Sequence, residues 1–133
     1  MTLVDTSVWI RMFQKHKPLR LLDVVTFDDV VTSLPIVQEV LQGFRDETAF
    51  RQARMAMLSF PIVDSPIPQN IFEEAIHLYR NARKNGFTVR SSVDCLIAAS
   101  AIKHNLIVLH QDRDFPQLAS ISSLRQKAVQ HPE

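Results

Sequence analysis

The chain reads as an α/β fold in which a short parallel sheet carries helices on both faces. Three observations predict it. Thr2–Val4, Val30–Thr32 and Leu106–His110 are short apolar or β-branched runs of strand length, as expected for strands buried on both faces. Helical stretches with apolar stripes separate them, the order that builds parallel crossovers. The length of 133 residues, 46% of them hydrophobic, makes one domain large enough to bury a core.

The elements follow in order. Thr2–Val4 is a strand, and Thr6 or Ser7 starts a helix to about Lys15 with Val8, Trp9, Met12 and Phe13 inward. Residues 19–27 read as a second helical piece, and Val30–Thr32 as a strand. Ser33 and Pro35 open a helix to about Phe44, striped by Ile36, Val37, Val40 and Leu41. Residues 47–59 form the next, with Phe50, Ala53, Met57 and Leu58 inward. Met55 and Met57 read as core filler.

"FPIVDSPIP" breaks the helical pattern, and Ile62–Val63 has the makings of a small strand. A long helix from about Gln69 carries Ile71, Phe72, Ala75, Leu78, Tyr79 and Ala82 and stops at Asn85–Gly86. Ser91 or Ser92 starts a helix to about His104. Leu106–His110 is an apolar strand, a short helix follows Asp112, and residues 120–124 are expected to be the last strand. The domain is drawn as residues 1–124, with 125–133 as a flexible polar tail.

Composition narrows the function. No apolar run reaches the roughly 20 residues that span a bilayer, and the N-terminus lacks a signal-peptide pattern. Cys95 is the lone cysteine, which excludes an intrachain disulfide and a thiolate zinc site. A cytoplasmic protein is expected. The five histidines show no HxxxH or HExxH spacing. Net charge is +1, yet bases cluster at Lys15, His16, Lys17 and Arg20 and again in "RNARKNGFTVR". Such patches can hold phosphates or form a solvated helix face.

In parallel α/β sheets ligands bind beyond the carboxyl ends of the strands. Asp5 follows the first strand, and Asp112 and Asp114 follow "LIVLH". Glu39 lies one turn into the helix after the second strand. Asp94 lies in the first turn of a helix lined by Ala98, Ala99, Ser100 and Ala101. Each acid alone has a structural explanation: Asp5, Asp112 and Asp114 as helix caps, Ser91 and Asp94 as a capping box, Glu39 as an exposed helix residue. Together they form an acidic set at one sheet edge. Clustered carboxylates repel, a divalent cation removes that cost, and oxygen ligands favour Mg²⁺ or Mn²⁺.

"VDTSVWI", "SLPIVQEVLQGF" and "SSVDCLIAASAIKHNLIVLHQDRDF", in that order, resemble the PIN-domain family, and the last segment resembles its VapC-type bacterial toxins. The resemblance covers nearly the whole chain. It implies a three-layer α/β/α sandwich with a short, mostly parallel central sheet, and a Mg²⁺-dependent endoribonuclease, with Mn²⁺ as the alternative metal. It further implies a homodimer held inactive by a cognate antitoxin. Asp5, Glu39, Asp94 and Asp112 match the family's acidic quartet, and Asp114 an additional acid. Thr6 and Ser7 match the polar residues that orient the first Asp or a water. His110 departs from the pattern, because members often carry Thr or a similar polar residue there.

On this reading Asp5 and Asp94 hold the principal metal ion, with Asp112 bound to it directly or through a water. Glu39 orients or deprotonates the attacking water, or helps hold a second ion; the water displaces the 3′ oxygen and leaves a 5′-phosphate. Arg11, Lys15, Arg83, Lys84 and Arg90 are candidates for the RNA backbone. The helices between Leu41 and Leu58 resemble a clip for a partner or antitoxin segment, or are simple core.

Three other readings compete. A receiver-type switch wants an acidic pair after the first strand, where Asp5 stands alone. A haloacid-dehalogenase-type phosphatase wants Asp-x-Asp, and the second place is Ser7. A catalytically silent PIN-like module would bind RNA or a partner without cutting. Cys95 has no His or Asn constellation to make it a nucleophile, and Trp9 reads as packing.

Overall fold

The computed structural model describes residues 1–130; residues 131–133, the end of the expected tail, lie outside the described residues. β1 (Thr2–Val4) leads into α1 (Thr6–Phe13), β2 (Val30–Val31) into α2 (Leu34–Leu41) and α3 (Glu47–Leu58). Then come α4 (Gln69–Lys84), α5 (Ser92–Lys103), β3 (Ile107–His110), α6 (Asp114–Ser120) and β4 (Arg125–Ala128). The sheet order is β2-β1-β3-β4, and every pairing is parallel. The expected α/β sandwich is therefore present. Its helices pack as two groups, α1–α2–α3 and α4–α5–α6. Among the described residues no helix is long and apolar enough to cross a membrane.

β1 and β3 are central and buried. Leu3, Val4, Val8, Ile97, Val108, Leu109, Phe115 and Leu118 are at most 2% exposed and form the middle of the core. Trp9 packs beneath this layer against Phe13 and Phe60, and its Nε1–H donates to the Val4 carbonyl at 3.1 Å. Burial at 1% makes it a packing residue, as its sequence context suggests. Trp9→Ala removes that ring and the donor. It is expected to cost about 3–5 kcal/mol, read as a lower midpoint in chemical denaturation.

Several expectations are corrected. Residues 125–128 are not a loose tail: they are β4, in register with β3 from Ile107↔Arg125 to His110↔Ala128. The last strand thus lies beyond residues 120–124. An edge strand is held by backbone bonds on one side only and can be polar; here Leu124 and Val129 anchor it at either end. Residues 19–27 form no α-helix. They carry a single 3-10 turn at Leu21–Asp23, ahead of another at Phe27–Asp29, and the β-branched Val24–Val25–Thr26 separates the two.

Ile62 pairs with Thr32 as an isolated parallel bridge and builds no strand. Met57 is fully buried, whereas Met55 is 77% exposed on the outer face of α3. Phe72 and Tyr79 flank the α4 stripe and do not enter the core. With Ile76 they line an open apolar groove against Ser92, Val93, Cys95 and Leu96 of α5.

Candidate active site

β1 connects outward to β2 on one side, and the chain returns through β3 on the other. The crevice between β1 and β3 is therefore the switch point at which parallel α/β sheets bind ligands. The two strands are in register, Val4 opposite Leu109, and the Asp5 N–H donates to the Leu109 carbonyl at 2.9 Å. That register brings the acids beyond β1 and β3 to one edge.

Asp5 is buried, and its Oδ2 accepts the Ser7 backbone N–H at 3.1 Å as the N-cap of α1. The capping explanation and the site explanation therefore hold together. The same oxygen accepts the Ser7 hydroxyl at 2.6 Å, and Ser7 Oγ accepts the Gln111 N–H at 2.9 Å. One hydroxyl thus ties Asp5 to the end of β3. Thr6 Oγ1 donates to Glu39 Oε1 at 2.9 Å, which draws the α2 acid toward the start of α1.

Asp94 stands on the first turn of α5 and is 5% exposed. Ser91 makes no side-chain cap bond, so the capping-box explanation of Asp94 fails. Asp112 Oδ1 accepts the Asp114 N–H at 2.9 Å and stabilises the turn into α6. Carboxylate oxygens of Asp94, Asp112 and Asp114 all lie within 4.8 Å of one another, close enough to share a metal ion. Asp114, fully buried, is a member of the tight group, whereas Asp5 stands beside it.

Electrostatics mark the same place. Burial, the charges of Asp5, Asp112 and Asp114, and a hydrogen bond with Asp114 push Asp94 up to about 9. Burial also raises Asp5, against the lowering effect of its bonds from Ser7 and Thr6, with Asp112 adding to the rise. Asp5 Oδ1, Asp94 Oδ2 and Asp114 Oδ1 are buried without a hydrogen-bond donor among the described residues. Buried acceptors of this kind are costly unless a proton or cation meets them. An all-carboxylate donor set with free inward oxygens fits a hard divalent cation.

Of the five basic candidates, the structure brings one to the cluster. Arg90 Nη2 lies 3.4 Å from Asp112 Oδ1, and its backbone N–H donates to Asp114 Oδ2 at 3.1 Å. Arg11 is 9% exposed on α1, so little of its side chain is open to a backbone phosphate. Lys15 lies beyond the end of α1 that is remote from Asp5. Arg83 sits over the Tyr79 ring at 5.8 Å. Lys84 shares a groove with Ile121, Ser122 and Ser123, past the C-terminal end of α6 and so toward the amino ends of the strands. Arg113, between the two acids of "DRD", is exposed. Cys95 is buried, and its thiol is pushed up to about 11 by burial and by Asp94 and Asp114, so it is no nucleophile.

A parallel α/β domain with buried carboxylates converging at its switch point belongs to the class built around an acidic metal site. Comparison with known proteins places it more closely. The PIN domain family matches residues 2–121, and the chain belongs to that family, in its VapC branch. Ribonuclease VapC11 of Mycobacterium tuberculosis is 34% identical over 132 residues, covering 94% of this chain and 96% of the relative. Ribonuclease VapC51 of the same species is 28% identical over 121 residues, 90% and 86% of the two chains. Among solved structures, VapBC2 from Rickettsia felis bound to a promoter DNA fragment shares the fold with a TM-score of 0.76 at 16% identity, over 96% and 97% of the chains.

Proposed function

We propose that this chain is a metal-dependent endoribonuclease, the toxin of a toxin–antitoxin pair. The observation that carries the reading is the convergence of Asp94, Asp112 and Asp114, with Asp5 beside them, in a chain 34% identical to a ribonuclease. Asp5, Asp94 and Asp112 are the proposed metal ligands, with Asp114 adjoining. Mg²⁺ is the proposed ion, with Mn²⁺ able to replace it. When bound, the cation supplies Lewis-acid stabilisation of the charge that develops on the phosphate.

The chain's own groups do the rest. Glu39, held by Thr6, orients the attacking water and takes its proton. Ser7 keeps Asp5 aimed by filling one of its oxygens. Arg90 lies closest of the basic candidates to the acids, and a backbone phosphate offers its guanidinium a second partner. The displaced group is the 3′ oxygen, and the product carries a 5′-phosphate. An antitoxin protein is the proposed partner, supported by the VapBC complex that shares this fold, and a homodimer is the proposed assembly.

The test is cleavage of a mixed structured and unstructured RNA pool by purified protein with Mg²⁺, with Mn²⁺ and with EDTA. Discrete cuts with either metal and none with EDTA are expected. Absence of cutting by folded protein with both metals would favour the silent binding module instead.

A further inference from the structure

His110 is the last residue of β3, 1% exposed, and packs on Phe115 with ring centroids 5.0 Å apart. Both its ring nitrogens are engaged. The Asp112 backbone N–H donates to Nδ1 at 3.1 Å. An N–H can only donate, so Nδ1 is bare and the neutral ring carries its proton on Nε2. Nε2 lies 2.6 Å from Gln126 Oε1 of β4, which accepts that proton. β4 is locked to the same point by the Val129 N–H, which donates to the His110 carbonyl at 2.7 Å, and by Gln111 Nε2, which donates to the Val129 carbonyl at 3.3 Å.

We propose that His110 is a positioning residue for Asp112, held in the required tautomer by Gln126. The ring is one link in a chain of bonds that runs Gln126, His110, Asp112, Asp114. It sets the backbone of Asp112, whose carboxylate in turn receives the Asp114 N–H. The ring's hydrogen bonds are with Gln126 of β4 and the Asp112 amide, and it packs on Phe115 of α6. Partners behind a ligand matter because they fix its direction before the ion arrives, and their loss typically costs about 10–100-fold in metal affinity. The inference rests on the reading of Asp112 as a metal ligand.

Two substitutions separate positioning from packing. His110→Asn places an amide oxygen where Nδ1 stands and keeps the acceptor for the Asp112 N–H. His110→Gln places its amide where Nε2 stands and leaves that N–H without a partner. Mn²⁺ binding to the full chain is measured by electron paramagnetic resonance, with thermal unfolding alongside. His110→Asn is expected to bind within about 3-fold of wild type and His110→Gln about 10-fold or more weaker. Equal affinities in the two variants would overturn the inference, since packing alone does not distinguish them.

Gln126→Leu, at a partly exposed strand position, applies the same test without opening the core: a several-fold weaker affinity is expected, and wild-type affinity overturns the relay. Asp94→Asn is the control. Mn²⁺ binding as strong in Asp94→Asn as in wild type, or absent from wild type, would strike the metal-site reading itself.

Discussion

Asp5→Asn is expected to fold as wild type does and to lose about 10³-fold or more of its cleavage rate. Asparagine keeps an oxygen for the Ser7 N–H, so the cap of α1 survives. It removes the charge that faces the cluster. Stabilisation of developing charge by a bound cation is worth several kcal/mol, and about 4 kcal/mol corresponds to roughly 10³-fold in rate. Single-turnover cleavage of one defined RNA reads the effect. A rate within tenfold of wild type, after contaminating nuclease has been excluded with the Asp94→Asn protein, would remove Asp5 from the site.

Asp94→Asn is expected to abolish cleavage and, without metal, to make the protein more stable. The sign follows from the raised acid. Folding favours protonated Asp94, so its contribution is fully present below the ordinary value of 3.8 and is lost as pH rises toward about 9. Metal-free wild type therefore weakens across the neutral range. Asn at the same place has no charge to bury. In EDTA at pH 8 the variant should gain about 2 kcal/mol, roughly 5–8 °C in Tm, with a smaller gain at pH 5. Added Mg²⁺ should stabilise wild type and leave the variant unmoved. Melting curves in which the variant is the less stable protein at pH 8 would contradict the electrostatic account. The geometry that suits a cation is thus a liability in its absence, the usual exchange between stability and function.

Much of this was legible in the sequence because the informative residues act locally. Leu3–Val4 and the run to His110 announce central strands by being apolar throughout, and the α4 and α5 boundaries follow from Asn85–Gly86 and Ser91. The acids could be grouped because the edge at which they meet follows from strand direction alone. What escaped depends on contacts between distant residues. β4 is "RQKA", with no apolar run to mark it; only its ladder with β3 makes it a strand. Arg11 is charged but buried by its place on α1. Met55, Phe72 and Tyr79 are apolar but exposed, since a helix stripe shows which faces are apolar and not whether a partner covers them. Asp114 looked secondary because its burial and its bond from Arg90 arise from the fold. The part played by His110 could not be read at all without Gln126 beside it.

Asp94 and Asp112, with Asp5 beside them, are proposed to hold a divalent cation. Anomalous diffraction from crystals grown with Mn²⁺ tests it most directly. A single strong peak within coordination distance of Asp94 and Asp112 oxygens, facing Asp5 and absent from Asp94→Asn crystals, is the predicted result. No peak there at Mn²⁺ concentrations that support cleavage, or a peak that persists in Asp94→Asn, would contradict it.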